Sequence, residues 1–225
     1  MPKEKTVVIT SAVRTAIGSL GGSLKSVPAY KLGSTAISNA IKKSSLKPSD
    51  VNEIIMGQVL TGGAGQNPAR QSSIESGIPK EVPSYVVNQV CGSGLRSIAS
   101  GFQSIMSNNS NIVIAGGQES MSQAPHIIHL RNGKKLGDTE LVDSMIRDGL
   151  WDAFNGYHMG NTAENVAQQF QITRKDQDKF AFDSQTKALR AQKENKFDNE
   201  IVPFEIKSKK GSSVFKKDEH PREGI

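Results

Sequence analysis

Size, composition and charge limit what this chain can be. Its 225 residues, 36% hydrophobic and 22% charged, are typical of a globular protein with a buried core. No apolar run approaches the roughly 20 residues of a membrane helix, and the short apolar stretch 7–9 does not match a signal peptide. We therefore expect a cytoplasmic protein without a membrane partner. A single cysteine, Cys91, excludes an internal disulfide framework.

The net charge of +6 raises the question of a nucleic-acid partner. The excess of lysine lies toward the C-terminal end, at 207–210 and 216–217, and no aromatic residues are interleaved there to stack on bases. Such a run is usually a solvated loop, and positive charge equally suits the phosphates of a nucleotide-like small molecule. We expect no nucleic-acid partner; a steep salt dependence of DNA affinity would indicate the opposite.

Predicted strands and helices alternate in the first half of the chain. The β-branched and apolar runs predict strands at 6–10, 53–60, 84–90 and 112–115. Helices are predicted to begin near Pro28, Pro68 and Gly94. The last helix carries an apolar stripe of Leu95, Ile98, Ala99, Phe102, Ile105 and Met106. This alternation predicts an α/β fold with apolar strands such as 112–115 at the centre of the sheet.

After the last of these strands the pattern changes. Residues 122–151 show no strong period and are predicted to form a long, partly extended excursion. Two helices are predicted next, one opened by a capping box of Asn161 with Glu164 and a longer one capped by Thr173. A strand at 200–206 and a basic tail follow. Because the chain then ends without a closing element, we expect a truncated domain.

The segment Cys91-Gly92-Ser93-Gly94 joins a predicted strand to a predicted helix. A nucleophile at such a turn is exposed at the carboxyl edge of the sheet, where open α/β folds bind ligands. The first amides of the helix stabilise a negatively charged sulfur, and the glycines let a substrate carbonyl approach an N–H that binds an oxyanion. A single free cysteine is more often a small buried hydrophobe. The pattern alone leaves both interpretations open.

Residues 87–97, VNQVCGSGLRS, resemble the segment around the acyl-accepting cysteine of the thiolase family. Further stretches agree with that family in the same order: SAVRT (11–15), MGQVL (56–60), GQNPARQ (65–71), AGGQESMS (115–122), GYHMG (156–160), TAENVA (162–167) and DQD (176–178). The resemblance covers essentially the whole chain and is strongest to the acetyl-CoA acetyltransferase type.

The resemblance implies a thiolase-like architecture. Two similar halves, each a mixed sheet flanked by helices, stack into alternating layers in that family. Residues 1–121 would be the N-terminal half that carries the nucleophile. Residues 122–225 would be most of an inserted, mainly helical loop domain that binds coenzyme A and shapes a tetramer. The C-terminal half would be absent from this chain.

The resemblance also assigns roles to individual residues. The implied site consists of Cys91 as nucleophile, Gly92, Ser93 and Gly94 as its turn, and Leu150, His158, Met159 and Arg222 as contacts of coenzyme A. Arg222 would lie near the nucleotide end, where a guanidinium suits phosphate, and the other contacts near the acyl and pantetheine end. His158 could instead pack in a core, and Arg222 could be a solvated surface residue. No metal and no permanently bound cofactor is expected, because coenzyme A and acetyl-CoA are substrates.

In the family reaction, two acetyl-CoA molecules give acetoacetyl-CoA and coenzyme A through an acetyl-cysteine, here on Cys91. The family's general base is a histidine in a Gly-His-Pro segment, and a second cysteine moves the proton; both belong to the second half. Cys91 is the only cysteine here, and His220-Pro221 follows Glu219 instead of glycine. We therefore expect little or no turnover from this chain alone.

Three alternatives remain at this point. The chain could be a non-catalytic module that only holds coenzyme A, or a half-thiolase that requires a partner chain. A condensing enzyme of the ketoacyl synthase kind also uses a nucleophilic cysteine, but the match through His158 and Met159 argues against it.

Overall fold

The computed structural model describes residues 6–208 and 211–224. Its α-helices are α1 (Ala29–Lys43), α2 (Pro68–Glu75), α3 (Ser93–Met106), α4 (Met159–Gln169) and α5 (Arg174–Lys193). Its strands are β1 (Arg14–Thr15), β2 (Glu53–Gly57), β3 (Ser84–Val87), β4 (Val113–Gly117), β5 (His126–Ile127), β6 (Val142–Asp143), β7 (Trp151–Asp152), β8 (Tyr157–His158), β9 (Ile201–Val202), β10 (Phe204–Ser208) and β11 (Gly211–Phe215). A π-helical segment spans Met145–Leu150. Within these two ranges, every helix is too short or too polar to span a lipid bilayer.

The main sheet consists of three parallel strands in the order β3-β2-β4. In their register, Ile55 in the middle strand lies opposite Tyr85 on one side and Ala115 on the other. Parallel neighbours need a crossover connection, and here α2 links β2 to β3 while α3 links β3 to β4. The predicted alternation of strands and helices is confirmed for this part of the chain.

The prediction that residues 112–115 lie at the centre of the sheet is wrong. The central strand is β2, whose Ile54 and Ile55 are fully buried. Strand β4 lies at an edge and its side chains are mostly half-buried. The physical reason is that no strand among the described residues covers its outer side.

The prediction of a strand at residues 6–10 is also wrong for this chain. No strand among the described residues pairs with this segment, and Val8 and Ile9 are 68% and 79% exposed. Ser11 donates a hydrogen bond from Oγ to the carbonyl of Ala40 in α1 at 3.0 Å, so the segment that follows lies against that helix. A β-branched run becomes a strand only where a neighbouring strand accepts and donates its backbone hydrogen bonds.

The principal core lies between the sheet and helices α1 and α2. Its buried members are Ile37, Ile41, Val51, Ile54, Met56, Ala69, Ile78 and Val82. Because side chains alternate along a strand, Ile55 points to the opposite face of β2. Helix α3 contacts β2 and β4, so we place it on that second face.

Helix α3 does not bury its apolar stripe. Its buried residues are small: Ser93, Ser97 and Gly101. A Cβ atom added to Gly101 would lie 3.1 Å from a methyl group of Val113, which shows how closely the helix approaches β4. The stripe of Leu95, Ile98, Phe102 and Met106 is instead exposed to solvent. The described chain thus leaves a continuous apolar surface on the outside of this helix.

A second, smaller core joins the two ends of the chain. Strand β1 pairs in parallel with β9, and β10 and β11 form an antiparallel hairpin. Ala16, Leu24, Val27, Phe204 and Phe215 are buried together. The predicted strand 200–206 is found in two pieces, β9 and β10, because Pro203 between them has no backbone N–H to donate.

The two helices after residue 151 begin at different kinds of cap. The predicted N-cap at Thr173 is confirmed, and the structure shows that it is a capping box, since its side chain and that of Asp176 exchange hydrogen bonds with each other's backbone. The predicted start of α4 at Asn161 is wrong, because the helix begins at Met159. His158 is the N-cap, and its Nδ1 accepts from the backbone N–H of Gly160 at 3.0 Å. A histidine ring therefore takes the place expected for the asparagine amide.

Candidate active site

Cys91 lies in a short turn between the end of β3 and the start of α3, at the carboxyl edge of the parallel sheet. Its thiol is free and the residue is exposed to solvent. The interpretation of this cysteine as a buried hydrophobe is therefore wrong. Position and exposure together fit a nucleophile that meets a ligand at the sheet edge.

Hydrogen bonds within the turn already use the backbone N–H groups of Gly92 and Ser93, at the start of α3. The N–H of Gly92 donates to the carbonyl of Gln89 at 3.0 Å, and the N–H of Ser93 donates to the carbonyl of Val90 at 3.1 Å. The backbone N–H of Val90 donates to Oδ1 of Asn88 at 2.9 Å. These bonds fix the turn before any substrate arrives. The amides of Gly92 and Ser93 are consequently not free to bind an oxyanion.

Two glycines at the ends of neighbouring strands make room for the turn. A Cβ atom on Gly57, the last residue of β2, would overlap the backbone of Ser93 and lie 2.6 Å from the nitrogen of Gly94. A Cβ atom on Gly117, the last residue of β4, would lie 3.4 Å from Cα of Gly94. The start of α3 therefore rests directly on the sheet. The sequence indicates the conformational freedom of these glycines but not what approaches them.

Three buried side chains, Ser72, Gln118 and Gln58, are linked by hydrogen bonds near the same edge of the sheet. Ser72 Oγ donates to Oε1 of Gln118 at 2.5 Å, and Gln118 Nε2 donates to Oε1 of Gln58 at 2.9 Å. Gln58 Nε2 in turn donates to the carbonyl of Leu60 at 3.0 Å. Buried polar groups that are all paired hold a loop in one arrangement. Sequence reasoning missed this network because it joins residues far apart in the chain.

Glu119 completes the support of the loop that follows β2. Its carboxylate accepts from the backbone N–H of Val59 at 2.8 Å and of Leu60 at 3.3 Å. Burial raises the pKa of Glu119, while the hydrogen bonds from Val59, Leu60 and Ser120 oppose that rise. The carboxylate acts on the backbone of the loop, and we assign it no role in proton transfer.

The predicted contacts of coenzyme A in the middle of the chain come together on a hairpin. Strands β7 and β8 pair so that Trp151 lies opposite His158. Leu150 directly precedes this hairpin and Met159 directly follows it. His158 and Met159 are exposed, so the interpretation of His158 as a core residue is wrong.

The cap of α4 also decides which ring nitrogen of His158 carries the proton. Because Nδ1 accepts a hydrogen bond from Gly160, the neutral imidazole holds its proton on Nε2. The Nε2–H group is thus a hydrogen-bond donor on an exposed ring. Such a group suits the carbonyl and amide oxygens of an acyl-pantetheine chain.

Arg222 is exposed, and the segment that leads to it is anchored at two points. Its backbone N–H donates to Oε1 of Gln185 in α5 at 3.2 Å. Four residues earlier, Asp218 accepts two hydrogen bonds from the guanidinium of Arg14, at 2.8 and 3.0 Å. Burial alone would raise the pKa of Asp218, but Arg14 and the backbone N–H of Ile17 hold it below its ordinary value. The guanidinium of Arg222 is therefore offered to solvent from a fixed backbone.

The described residues bring Leu150, His158 and Met159 together, but they do not join this hairpin to Cys91 by any hydrogen bond. Neither does a hydrogen bond from a histidine reach Cys91 anywhere in residues 6–208 or 211–224. In the same ranges, no group of three or more histidine, cysteine or acidic side chains is placed to hold a metal ion. Among the described residues, Cys91 is therefore a free, exposed thiol without a histidine hydrogen-bonded to it.

Comparisons with known proteins agree with this geometry. A family model described as "Thiolase, N-terminal domain" matches residues 7–225. An acetyl-CoA acetyltransferase from Cupriavidus necator is 54% identical over 220 residues, which cover 97% of this chain and 56% of that protein. The cytosolic acetyl-CoA acetyltransferase of Rattus norvegicus is 51% identical over 218 residues, which cover 97% of this chain and 55% of that protein.

A solved structure shows the same likeness in three dimensions. The crystal structure of the Bacillus anthracis acetyl-CoA acetyltransferase superposes with a TM-score of 0.94 at 38% identity, covering 97% of this chain and 55% of that one. The chain therefore belongs to the thiolase family and has the fold of its N-terminal part. It spans about half the length of the curated relatives that it matches.

Proposed function

We propose that this chain is the nucleophile-bearing part of a thiolase-type acyltransferase that acts on acetyl-CoA. The observation that carries the proposal is the exposed thiol of Cys91, the only cysteine, at a strand-to-helix turn on the carboxyl edge of the sheet. The names of the relatives support acetyl-CoA as the substrate.

The reaction proceeds in two steps. In the first, Sγ of Cys91 attacks the carbonyl carbon of acetyl-CoA, the bond to the sulfur of coenzyme A breaks, and coenzyme A leaves as a thiolate that takes up a proton. In the second, another acetyl-CoA loses its α-proton to a base, and its α-carbon attacks the acetyl-Cys91 thioester. Acetoacetyl-CoA forms and the Cys91 thiolate is released. The reverse direction is thiolysis of acetoacetyl-CoA.

Coenzyme A binds, in this proposal, to residues 122–225. Leu150, His158 and Met159 contact its acyl and pantetheine end, with Nε2–H of His158 as a donor. Arg222 contacts the phosphates or adenine at the other end, where a guanidinium fork fits an anion. His158, Met159 and Arg222 are exposed and Leu150 is partly exposed, which supports the assignment because each is available to a ligand.

The complete reaction needs a second half. The base of the second step has no candidate beside Cys91 in the described residues. The exposed apolar stripe of α3, with Leu95 74% exposed, is a surface that a further sheet-and-helix half would cover. We propose that this half carries the base and the proton-relaying cysteine, that the whole assembles as a homo-oligomer of the tetrameric kind, and that it works in the cytoplasm.

The test is intact-mass spectrometry of the purified chain after exposure to acetyl-CoA, compared with the Cys91→Ser variant. We expect the parent chain to gain one acetyl group and the variant to gain none, and we expect little acetoacetyl-CoA thiolysis by the chain alone. Acetylation of both proteins at equal levels would contradict the role of Cys91. Coenzyme A binding without acetylation, even with a second half present, would favour a non-catalytic binding module.

A further inference from the structure

The residue before the nucleophile has an unusual backbone conformation. Val90 has φ of +48° and therefore lies in the left-handed region. This region crowds the Cβ atom of any L-residue, and a β-branched side chain makes the crowding worse. Such a conformation persists only where its surroundings hold it, and it is concentrated at functional sites.

The other described residues with a left-handed backbone differ from Val90 in residue type, and most of them also differ in their position relative to a helix. Among the described residues that are not glycine they are Ser45, Asn67, Asn108, Gln171 and Asn195. None of them is β-branched. Four of them directly follow a helix or lie within two residues of its end, where a left-handed residue commonly ends a helix. Val90 instead precedes a helix and adjoins Cys91, so helix termination does not explain it.

The hydroxyl of Ser93 holds the peptide group that follows Val90 and the peptide group that precedes Gln89. It accepts from the backbone N–H of Gln89 at 2.9 Å and donates to the carbonyl of Val90 at 2.6 Å. Ser93 is only 4% exposed, which removes water as a substitute partner. The side chain of Asn88 adds a third hydrogen bond, from the N–H of Val90. Asn88 thus holds the backbone N–H of Val90, and Ser93 holds its carbonyl.

The sheet prevents the turn from moving toward β2. The backbone of Ser93 and Gly94 lies directly against Gly57, where no side chain larger than hydrogen fits. Relaxation of Val90 would therefore have to rotate the peptide that leads into Cys91. Because that rotation redirects the bond from Cα to Cβ of Cys91, it would change the position of the thiol relative to the start of α3.

We propose that Ser93 is a positioning residue for the nucleophile. Its hydroxyl keeps Val90 in the left-handed region and thereby sets the direction of the Cys91 thiol relative to the N-terminus of α3. This inference rests on the proposed function of Cys91 as acyl acceptor. The hold of Ser93 on Val90 can be tested separately from acyl transfer.

The test uses the full 225-residue chain, in which Cys91 is the only thiol that can react with iodoacetamide. The Ser93→Ala variant is expected to be alkylated about two- to fivefold more slowly at neutral pH, the effect of moving a charge away from a helix N-terminus. Its pH–rate profile should move to higher pH. Acetylation by acetyl-CoA should slow at least as much. Unchanged alkylation rate and profile in Ser93→Ala would overturn the proposal.

Ser97→Ala is the matched control. Ser97 is equally buried in α3, and its single hydroxyl hydrogen has two acceptors within reach, the carbonyls of Gly94 and Gly116, both 2.7 Å from Oγ. Ser97→Ala removes a buried serine hydroxyl that has no hydrogen bond to Gln89 or Val90, so we expect a pH–rate profile like that of the parent chain. A shift equal to that of Ser93→Ala would mean that the effect is general destabilisation, which contradicts a positioning role.

Val90→Gly tests the strain directly, because glycine adopts the left-handed region without a Cβ clash. In the Val90→Gly background, Ser93→Ala should slow alkylation less than it does in the parent chain. Should Ser93→Ala alone fail to fold, glycine at position 90 is expected to restore folding. Equal effects of Ser93→Ala in both backgrounds, or no rescue, would overturn the proposal. If the parent chain is alkylated but never acetylated, the proposed function fails while this test of Ser93 still stands.

Discussion

The two regions of this chain are stabilised in different ways. The sheet region buries Ile54 and Ile55 completely between helices on its two faces. Helices α4 and α5, in contrast, have no buried residue at all. Their ends are fixed by caps, and their region is tied to the rest by the second core and by Arg14. The sheet region therefore has its own hydrophobic core, whereas the region assigned to coenzyme A depends on a few long-range contacts.

The largest expected effect tests the core of the sheet region. Ile54→Ala should lower the free energy of unfolding by about 2–5 kcal/mol, because it removes a fully buried side chain and leaves a cavity. Val166→Ala, at an exposed position of α4, should change it by about 0.5 kcal/mol or less. Urea unfolding followed by circular dichroism measures both. Equal losses would remove the distinction between the two regions.

A smaller effect is expected at the link between the regions. Arg14→Met leaves the partly buried Asp218 without its bidentate partner, and Glu200 loses a contact of 2.7 Å. We expect a loss of about 1–2 kcal/mol, the lower part of the range for hydrogen bonds to charged groups because the pair is partly exposed. Limited proteolysis should cut first after residue 122. Lys179→Met removes an exposed ion pair within α5 and should leave both measurements unchanged.

The pH dependence of stability should have opposite signs in the two regions. The pKa of Asp218 is lowered on folding, so its ion pair stabilises the chain above the ordinary carboxyl range and is lost as pH falls through and below it. The pKa of Glu119 is raised, so its contribution is greatest in acid and is lost as pH rises through the raised value.

Two variants separate these contributions in unfolding curves recorded between pH 3 and pH 7. Asp218→Asn should reduce the loss of stability toward acid, and Glu119→Gln should make stability fall more steeply toward acid than in the parent chain. Each change should amount to about 1 kcal/mol or less across the range. A result with both slopes changed in the same direction would contradict the assignment of the two carboxylates.

The smallest effect on stability is expected on the outer face of α3. Phe102→Ser replaces a half-exposed side chain and should change the free energy of unfolding of this chain by about 0.5 kcal/mol or less. The same variant should weaken reconstitution of thiolysis when a second half is supplied, because that half is proposed to cover the stripe. A large loss of stability in the isolated chain would show that the stripe already packs within it.

Local patterns predicted those features whose causes lie within a few residues. The Thr173 cap, the helices that begin beside Pro28 and Pro68, and the turn that presents Cys91 were all correctly placed. The prediction failed where a distant neighbour decides the outcome. Residues 6–10 have strand-forming side chains but no partner strand, and 112–115 have core-like side chains but lie at a sheet edge.

The amino-acid sequence by itself determined the family, the alternation of strands and helices, and the identity of the single thiol that is proposed as the nucleophile. Only the tertiary structure decided that this sulfur is exposed, that Gly57 supports the backbone of Ser93, and that Arg14 holds Asp218 across the length of the chain. The physical reason is that backbone preference and side-chain polarity act over a few residues. Exposure, close approach and ion pairing depend instead on which distant residues the fold brings into contact.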